Sequence, residues 1–142
     1  MDSSNLKIRI IKNKDKPHVV KLWNKVFKND PPWNEPRGVI SRKMTIQKDL
    51  FLVGELDGQI VATVVGGYDG FRGWIYHLAV APPYQRKGFG KVLMLEIEKK
   101  LKNLGCPKIN LQVRSSNLTV VEYYKNLGYS IEDHVSMGKL LK

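Results

Sequence analysis

The stretch that most restricts the fold is residues 78–101, LAVAPPYQRKGFGKVLMLEIEKKL. An apolar run meets two prolines, then two basic residues and two glycines, and then a long amphipathic segment. Phe89, Leu93, Ile97, Leu101 and Leu104 recur at helical spacing, which predicts a helix from about Gly88 to Leu104, with Gly105 placed to stop it. The start of this helix is electrostatically odd. A helix N-terminus carries partial positive charge and favours Asp or Glu, yet Arg86, Lys87 and Lys91 gather here and the first acid is Glu96. An anion supplied from outside would resolve the conflict. Gly88 and Gly90 have no Cβ and let the backbone approach a bulky group. The first N–H groups of a helix lack internal partners and bind phosphate readily, and Arg86 and Lys87 add charge-assisted contacts. The spacing is neither that of a Walker loop nor that of the dinucleotide fingerprint, whose third glycine would fall at Leu93. On the residues alone, QRKGFG is either a different anion-binding turn or a solvated basic turn whose glycines serve packing.

The remaining pattern places this turn in a mixed sheet. LKIRII (6–11) alternates and reads as a strand. Residues 16–28 read as a helix with Val19, Leu22, Trp23, Val26 and Phe27 on one stripe. A breaker-rich loop (29–38) follows, then a second helix from Pro36 to about Gln47. Two runs, 50–56 and 60–68, flank Asp57-Gly58, a strong hairpin signal. WIYHLAV (74–80) is the next strand, and KINLQV (108–113) follows the long helix. Ser115 or Ser116 is placed to cap a helix running to about Leu127 and ended by Gly128. Two short strands are expected near 129–132 and within 134–141. The order is β-α-α-β-β-β-α-β-α-β-β, an α/β (α+β) arrangement of helices packed on a mixed sheet. With 142 residues and no linker or repeat, the chain is read as a single domain, 1–142.

Composition narrows the function. The formal charge of +11 attracts anions in general, including nucleic acid and phosphorylated small molecules. The lysines are spread along the chain, and aromatics do not interleave with them as a stacking surface requires. Nucleic-acid binding is therefore the least favoured reading. No apolar run nears the ~18–20 residues of a membrane span, and the polar start MDSSNLKIRI has no secretory core. The single cysteine, Cys106, forms no internal disulfide or metal cluster and reads as a small core residue beside a turn. No metal site is expected, and the balance suits a cytoplasmic protein.

Two motifs together resemble the GNAT superfamily of N-acetyltransferases. Gln85-Arg86-Lys87-Gly88-Phe89-Gly90, after a strand ending in LAV, matches that family's Q/R-x-x-G-x-G/A signature. SNLTVVEYYKNLGY (116–129) is similar to its N-x-x-A-x-x-x-Y-x-x-x-G-F/Y segment, with Asn117, Tyr124, Gly128 and Tyr129 in register and Val120 at the usual alanine. WNEP, RKM, GGYDG and GCPKI further resemble the small bacterial YpeA-type acetyltransferases. The resemblance spans essentially the whole chain. It implies a GNAT-like fold with about seven strands, about four helices and splayed central strands, and a fold that often forms homodimers.

The resemblance also implies a chemistry. Acetyl-CoA would be the cofactor, its pyrophosphate held by the backbone N–H groups of Arg86, Lys87, Gly88, Phe89, Gly90 and Lys91, with Gln85 also among the cofactor-binding residues. Its pantetheine would pair with the backbone of Leu78, Ala79 and Val80 between splayed strands, with Asn117 hydrogen-bonding the arm. An amine would attack the thioester directly. The Leu78 N–H would stabilise the developing oxyanion, and Tyr124 would protonate the departing thiolate; read without the family, Tyr124 is a core aromatic on an amphipathic helix. The acceptor amine would be lined by Trp23, Trp33, Asn34, Glu35, Tyr68, Asp69 and Tyr76, and the Pro31-Pro32-Trp33 loop is either a pocket wall or a plug over the core. No general base is evident. Trp74, Tyr76 and Gln112 occupy positions where relatives carry Glu or His, and strict alternation turns His77 away from the face of Trp74, Tyr76 and Leu78, as a satisfied core histidine. Glu35, Glu55 and Asp69 are candidates acting through water. The missing base suits a low-pKa acceptor such as an α-amine and also leaves open a non-catalytic acyl-CoA sensing module on the same fold.

Overall fold

The computed structural model describes residues 5–28 and 30–141; residues 1–4, Asn29 at the head of the breaker-rich loop, and Lys142 lie outside it. The described chain forms two compact units, one ending at Leu111 and the other covering Gln112–Lys142. The first holds a five-stranded sheet in the order β1 (Lys7–Ile10), β2 (Phe51–Leu56), β3 (Gln59–Tyr68), β4 (Gly73–Val80), β5 (Ile109–Leu111). Three antiparallel pairs are followed by one parallel pair, β4 with β5. The β2–β3 connection is the two-residue turn that Asp57-Gly58 predicts, with φ of 51° and 78° at those residues.

Helices α1 (Lys16–Val26), α2 (Pro36–Lys43) and α3 (Phe89–Asn103) cover this sheet. α1 and α2 bury Val19, Leu22, Trp23 and Ile40 against Phe51, Val53, Val65 and Ala79. On α3, Phe89, Leu93, Ile97 and Leu101 are buried as the spacing predicts, and Met94 joins them. Leu104 does not: it is 55% exposed at the C-cap, where Gly105 (φ 87°) turns the chain away. Gly105 N donates to Lys102 O and Cys106 N to Leu101 O, the paired bonds of a Schellman ending. α2 stops at Lys43 rather than near Gln47, because Gln47 takes a left-handed conformation (φ 52°) and spends its side-chain amide on the main chain of Tyr68. At the sheet edge, the Arg9 guanidinium bridges Asp15 at 2.7 Å and Glu55 at 2.9 Å, holding the buried Asp15 carboxyl below its usual range.

The second unit contains α4 (Leu118–Asn126). Its cap is Asn117, whose side chain accepts from Val120 N, and not Ser115 or Ser116. The expected strands at 129–132 and within 134–141 do not form, so the sheet has five strands among the described residues rather than about seven. Alternation makes a segment competent for a strand, but a strand exists only where a neighbour supplies the ladder. Ile131, Val135 and Met137 are correspondingly exposed.

Candidate active site

The basic turn has the geometry of an anion cradle. After a short 3-10 turn at Pro82–Tyr84, Arg86 has φ 63° and Gly88 φ 85°. Left-handed residues interspersed with ordinary ones curl successive N–H groups towards one point, and a left-handed arginine is strained, a state that persists where the surroundings demand it. Gly88 is the N-cap of α3 but supplies no side-chain cap, and the first turn contains no acid. The earliest amide bonded to the cap is Val92 N, to Gly88 O, so the N–H groups of the first turn have no partner within the helix. A Cβ at Gly88 would meet nothing within 4 Å, so the space above the turn is open. Arg86 and Lys87 are exposed beside it, Lys91 lies one turn on, and Gly90 and the buried Phe89 begin the helix itself. Gln85 is partly committed elsewhere: its Nε2 donates to Val80 O at 2.9 Å and ties the turn back to the end of β4.

β4 offers an open edge next to this turn. Its pairing with β5 covers Gly73, Trp74 and Ile75 only, while β4 continues to Val80. Ala81 N donates to Val61 O, which makes Ala62 and Val80 a non-hydrogen-bonded pair; the main-chain N–H and C=O of Val80 therefore face the edge away from β3. A β-bulge interrupts the strand just before. Tyr76 pairs with Val65 and Ala79 with Thr63, so His77 and Leu78 together oppose Val64. His77 takes φ 48°.

This bulge breaks the alternation on which the orientation of His77 was predicted. Val65, partner of Tyr76, and Ala79 both belong to the core under α1, and His77 stacks on Trp23 of that same core with ring centroids 4.2 Å apart. His77 thus turns towards α1, on the side shared by Tyr76, rather than away from it. It remains a core histidine, edge-on to Phe27 and with Nε2 3.7 Å from Asp30. Burial pulls its pKa below 6.5, with the Asp30 carboxylate opposing, so the ring is neutral at pH 7. The carbonyl of His77 accepts from the Thr63 hydroxyl at 3.0 Å, and Thr63 Oγ1 accepts from Trp23 Nε1 at 2.8 Å. Thr63 has no exposed surface, and the site motifs of the sequence do not include it. Its signal was a lone hydroxyl within the apolar run IVATVVGG.

The predicted acceptor residues fall into two groups. A cleft of about 210 Å³ has Trp23, Asn34 and Glu35 in its wall together with Phe27 and Asp30. Trp23 is only 1% exposed and is chiefly core, while Trp33 is 56% exposed and does not line the cleft. Tyr68 and Asp69 sit at the β3–β4 turn. The phenol of the half-exposed Tyr76 is pushed up by desolvation and then by the Asp69 charge. The three carboxylates considered as bases all have structural partners. Glu35 accepts from Arg37 N at the start of α2, and Glu55 accepts from Arg9. Asp69 accepts from the amides of Phe71 and Arg72, and these bonds lower its pKa. Among the described residues, no three His, Cys, Asp or Glu side chains gather as a metal site, and no helix is long and apolar enough to cross a membrane.

In the second unit, α4 fixes Tyr124. Tyr129 N donates to Tyr124 O and Gly128 N, at φ 98°, to Lys125 O. This Schellman ending brings the Tyr124 and Tyr129 rings to 5.8 Å, edge to face. The Y-x-x-x-G-Y spacing is thus a helix stop that also orients a phenol. Burial, and next the neighbouring Tyr123, push the Tyr124 pKa up to about 12, which keeps the hydroxyl a proton donor across the physiological range.

Comparison with known proteins agrees with this fold. Residues 17–129 match the model of the acetyltransferase (GNAT) family. A Yersinia pestis protein described as an acetyltransferase is 43% identical over 136 residues, 96% of each chain. The crystal structure of Ard1 from Thermoplasma volcanium superposes with a TM-score of 0.77 at 22% identity, over 90% of this chain and 84% of that one. The aminoglycoside N-acetyltransferase AAC(6')-Iy, in complex with CoA, gives 0.76 at 15% identity over 95% and 94%. The chain therefore belongs to the acetyltransferase (GNAT) family and is an N-acetyltransferase.

Proposed function

We propose that this chain transfers an acetyl group from acetyl-CoA to a primary amine of low pKa, an α-amine being the best fit, and that it works as one cytoplasmic domain. The family match runs through both compact units, which supports the single-domain reading. The observation that carries the proposal is the uncapped, acid-free start of α3, where Arg86 and Gly88 curl the backbone and no Cβ fills the space above Gly88. Main-chain N–H groups from Lys87 to Lys91 would hold the pyrophosphate, with the side chains of Arg86 and Lys87 adding charge. The edge of β4 from Leu78 to Val80, where the Val80 carbonyl already accepts from Gln85, would hold the pantetheine amides as an added strand; the family resemblance assigns Asn117 a further contact to the arm.

Acetyl-CoA, when bound, supplies an acetyl group activated as a thioester. The Leu78 N–H would stabilise negative charge developing on the thioester oxygen. As the nitrogen–carbon bond forms and the carbon–sulfur bond breaks, the Tyr124 hydroxyl would give its proton to sulfur, the role the family resemblance assigns it; the amine nitrogen would lose one to solvent, and solvent would return one to the Tyr124 phenolate. The acceptor enters from the side of α1 and α2, where Asp30 and Glu35 in the cleft wall offset the net charge of +11 for a cationic amine. With Glu35, Glu55 and Asp69 all engaged, an amine that supplies its own neutral form is favoured. At pH 7.4 roughly a quarter of an α-amine is neutral, against about a thousandth of a lysine side chain. That gap of more than two orders of magnitude favours an α-amine.

Free-thiol release from acetyl-CoA, measured across unblocked and N-blocked peptides, amino acids, polyamines and aminoglycosides, tests the reading. Unblocked α-amines are expected to react fastest. Faster reaction of a lysine side chain would overturn the choice of acceptor, and absence of release with every amine would overturn the transferase reading.

A further inference from the structure

We propose that Thr63, itself oriented by Trp23, is a positioning residue that aims and polarises the peptide between His77 and Leu78. The inference rests on the functional reading above, in which the Leu78 N–H faces the reacting carbonyl. The direction of each hydrogen bond in the chain is fixed by chemistry. An indole nitrogen is a donor only, so Trp23 Nε1, at 2.8 Å, must donate to Thr63 Oγ1. The threonine hydroxyl has a single hydrogen, which is then committed to the His77 carbonyl at 3.0 Å. That carbonyl shares its peptide plane with the Leu78 N–H. No peptide bond among the described residues is cis, so the two groups point in opposite directions. Thr63 lies on β3; the carbonyl is drawn towards β3, and the N–H is sent towards the edge of β4 that β5 leaves open beyond Ile75.

The device has reasons to exist. A bulge residue at φ 48° is a strained, sparsely populated conformation for histidine, and without an anchor the peptide would relax. Thr63 and Trp23 are 0% and 1% exposed, so water does not reach the bond between their side chains. Trp23 is in turn clamped by stacking on Phe51 and His77. A carbonyl that accepts a hydrogen bond makes the N–H of its own peptide a stronger donor, and serial bonds reinforce one another. Packing alone would be served as well by valine, which the same strand uses on either side of this pair, at Val61, Val64 and Val65.

Four proteins test this: wild type, Thr63→Val, Thr63→Ser, and the double variant Thr63→Val with Trp23→Phe. Thiol release is followed with whichever amine of the panel the wild type acetylates fastest, alongside the Leu78 amide resonance and the melting temperature of the ligand-free proteins. Thr63→Val is expected to lower kcat by roughly ten-fold or more, as a misaimed oxyanion donor should, with the KM for acetyl-CoA little changed, and to move the Leu78 resonance. Thr63→Ser restores both. The double variant also truncates a buried, stacked ring, so its melting temperature falls below that of Thr63→Val while its kcat falls no further. If kcat simply tracks melting temperature across the four, or if Thr63→Val keeps wild-type kcat and Leu78 resonance, the positioning role is wrong and the functional reading stands. If the wild type releases no thiol with any amine, the functional reading falls and this role with it.

Discussion

Tyr124 has its phenol pKa pushed up to about 12, chiefly by burial. It therefore stays protonated wherever the enzyme works, and activity should show no falling limb from this group below roughly pH 11. Tyr124→Phe should cut thiol release by ~10²–10⁴ while leaving CoA affinity in place; retained turnover would remove the residue from the mechanism. His77 makes an opposite prediction. Its folded pKa lies below 6.5, so the unfolded chain binds protons more readily and stability is lost as pH falls through and below 6.5. The melting temperature should drop on acidification through that range. His77→Phe, which keeps an aromatic ring against Trp23, should flatten the drop. The sequence identified His77 as core but misjudged its direction, because alternation holds only until a bulge, and nothing in WIYHLAV marks one.

The elements were legible where a local signal and its partner both lie in the chain. Asp57-Gly58 forms the predicted turn, and the stripe of α3 is buried from Phe89 to Leu101. The misses have common causes. Ser115 and Ser116 are good cap residues, but Asn117 is better placed, its side chain accepting from the amide of Val120. The segments 129–132 and 134–141 alternate without a ladder to join. Gly66 shows how tightly α3 is seated on β3: a Cβ there would lie 2.9 Å from two atoms of the buried Ile97 side chain. Gly66→Ala should cost about 1–3 kcal/mol, seen as a lower denaturant midpoint. Gly88→Ala separates strain from function. No neighbour crowds its Cβ, so the stability loss should be confined to the ~1 kcal/mol of a left-handed alanine, whereas acetyl-CoA affinity should fall further because the methyl group enters the cradle. Equal losses in the two measurements would argue against a ligand at this turn.

At the scale of the whole molecule, the charge of +11 was the least specific signal in the sequence. Only Arg86, Lys87 and Lys91 can be tied to the proposed cradle; the other basic residues are dispersed. The attraction of acetyl-CoA should therefore weaken with salt, because the basic side chains at the turn are exposed and screened. The family was legible because its two motifs are themselves structural devices, one curling a helix start and the other stopping a helix. The acceptor was not, because the cleft near α1 and α2 presents groups already engaged with their own elements. The most direct test of the account is a titration of the isotopically labelled protein with acetyl-CoA, followed by amide resonances. Saturable shifts are expected at the amides of Lys87–Lys91 and Leu78–Val80; a saturating titration that leaves those amides unmoved would contradict a donor held at this turn and edge.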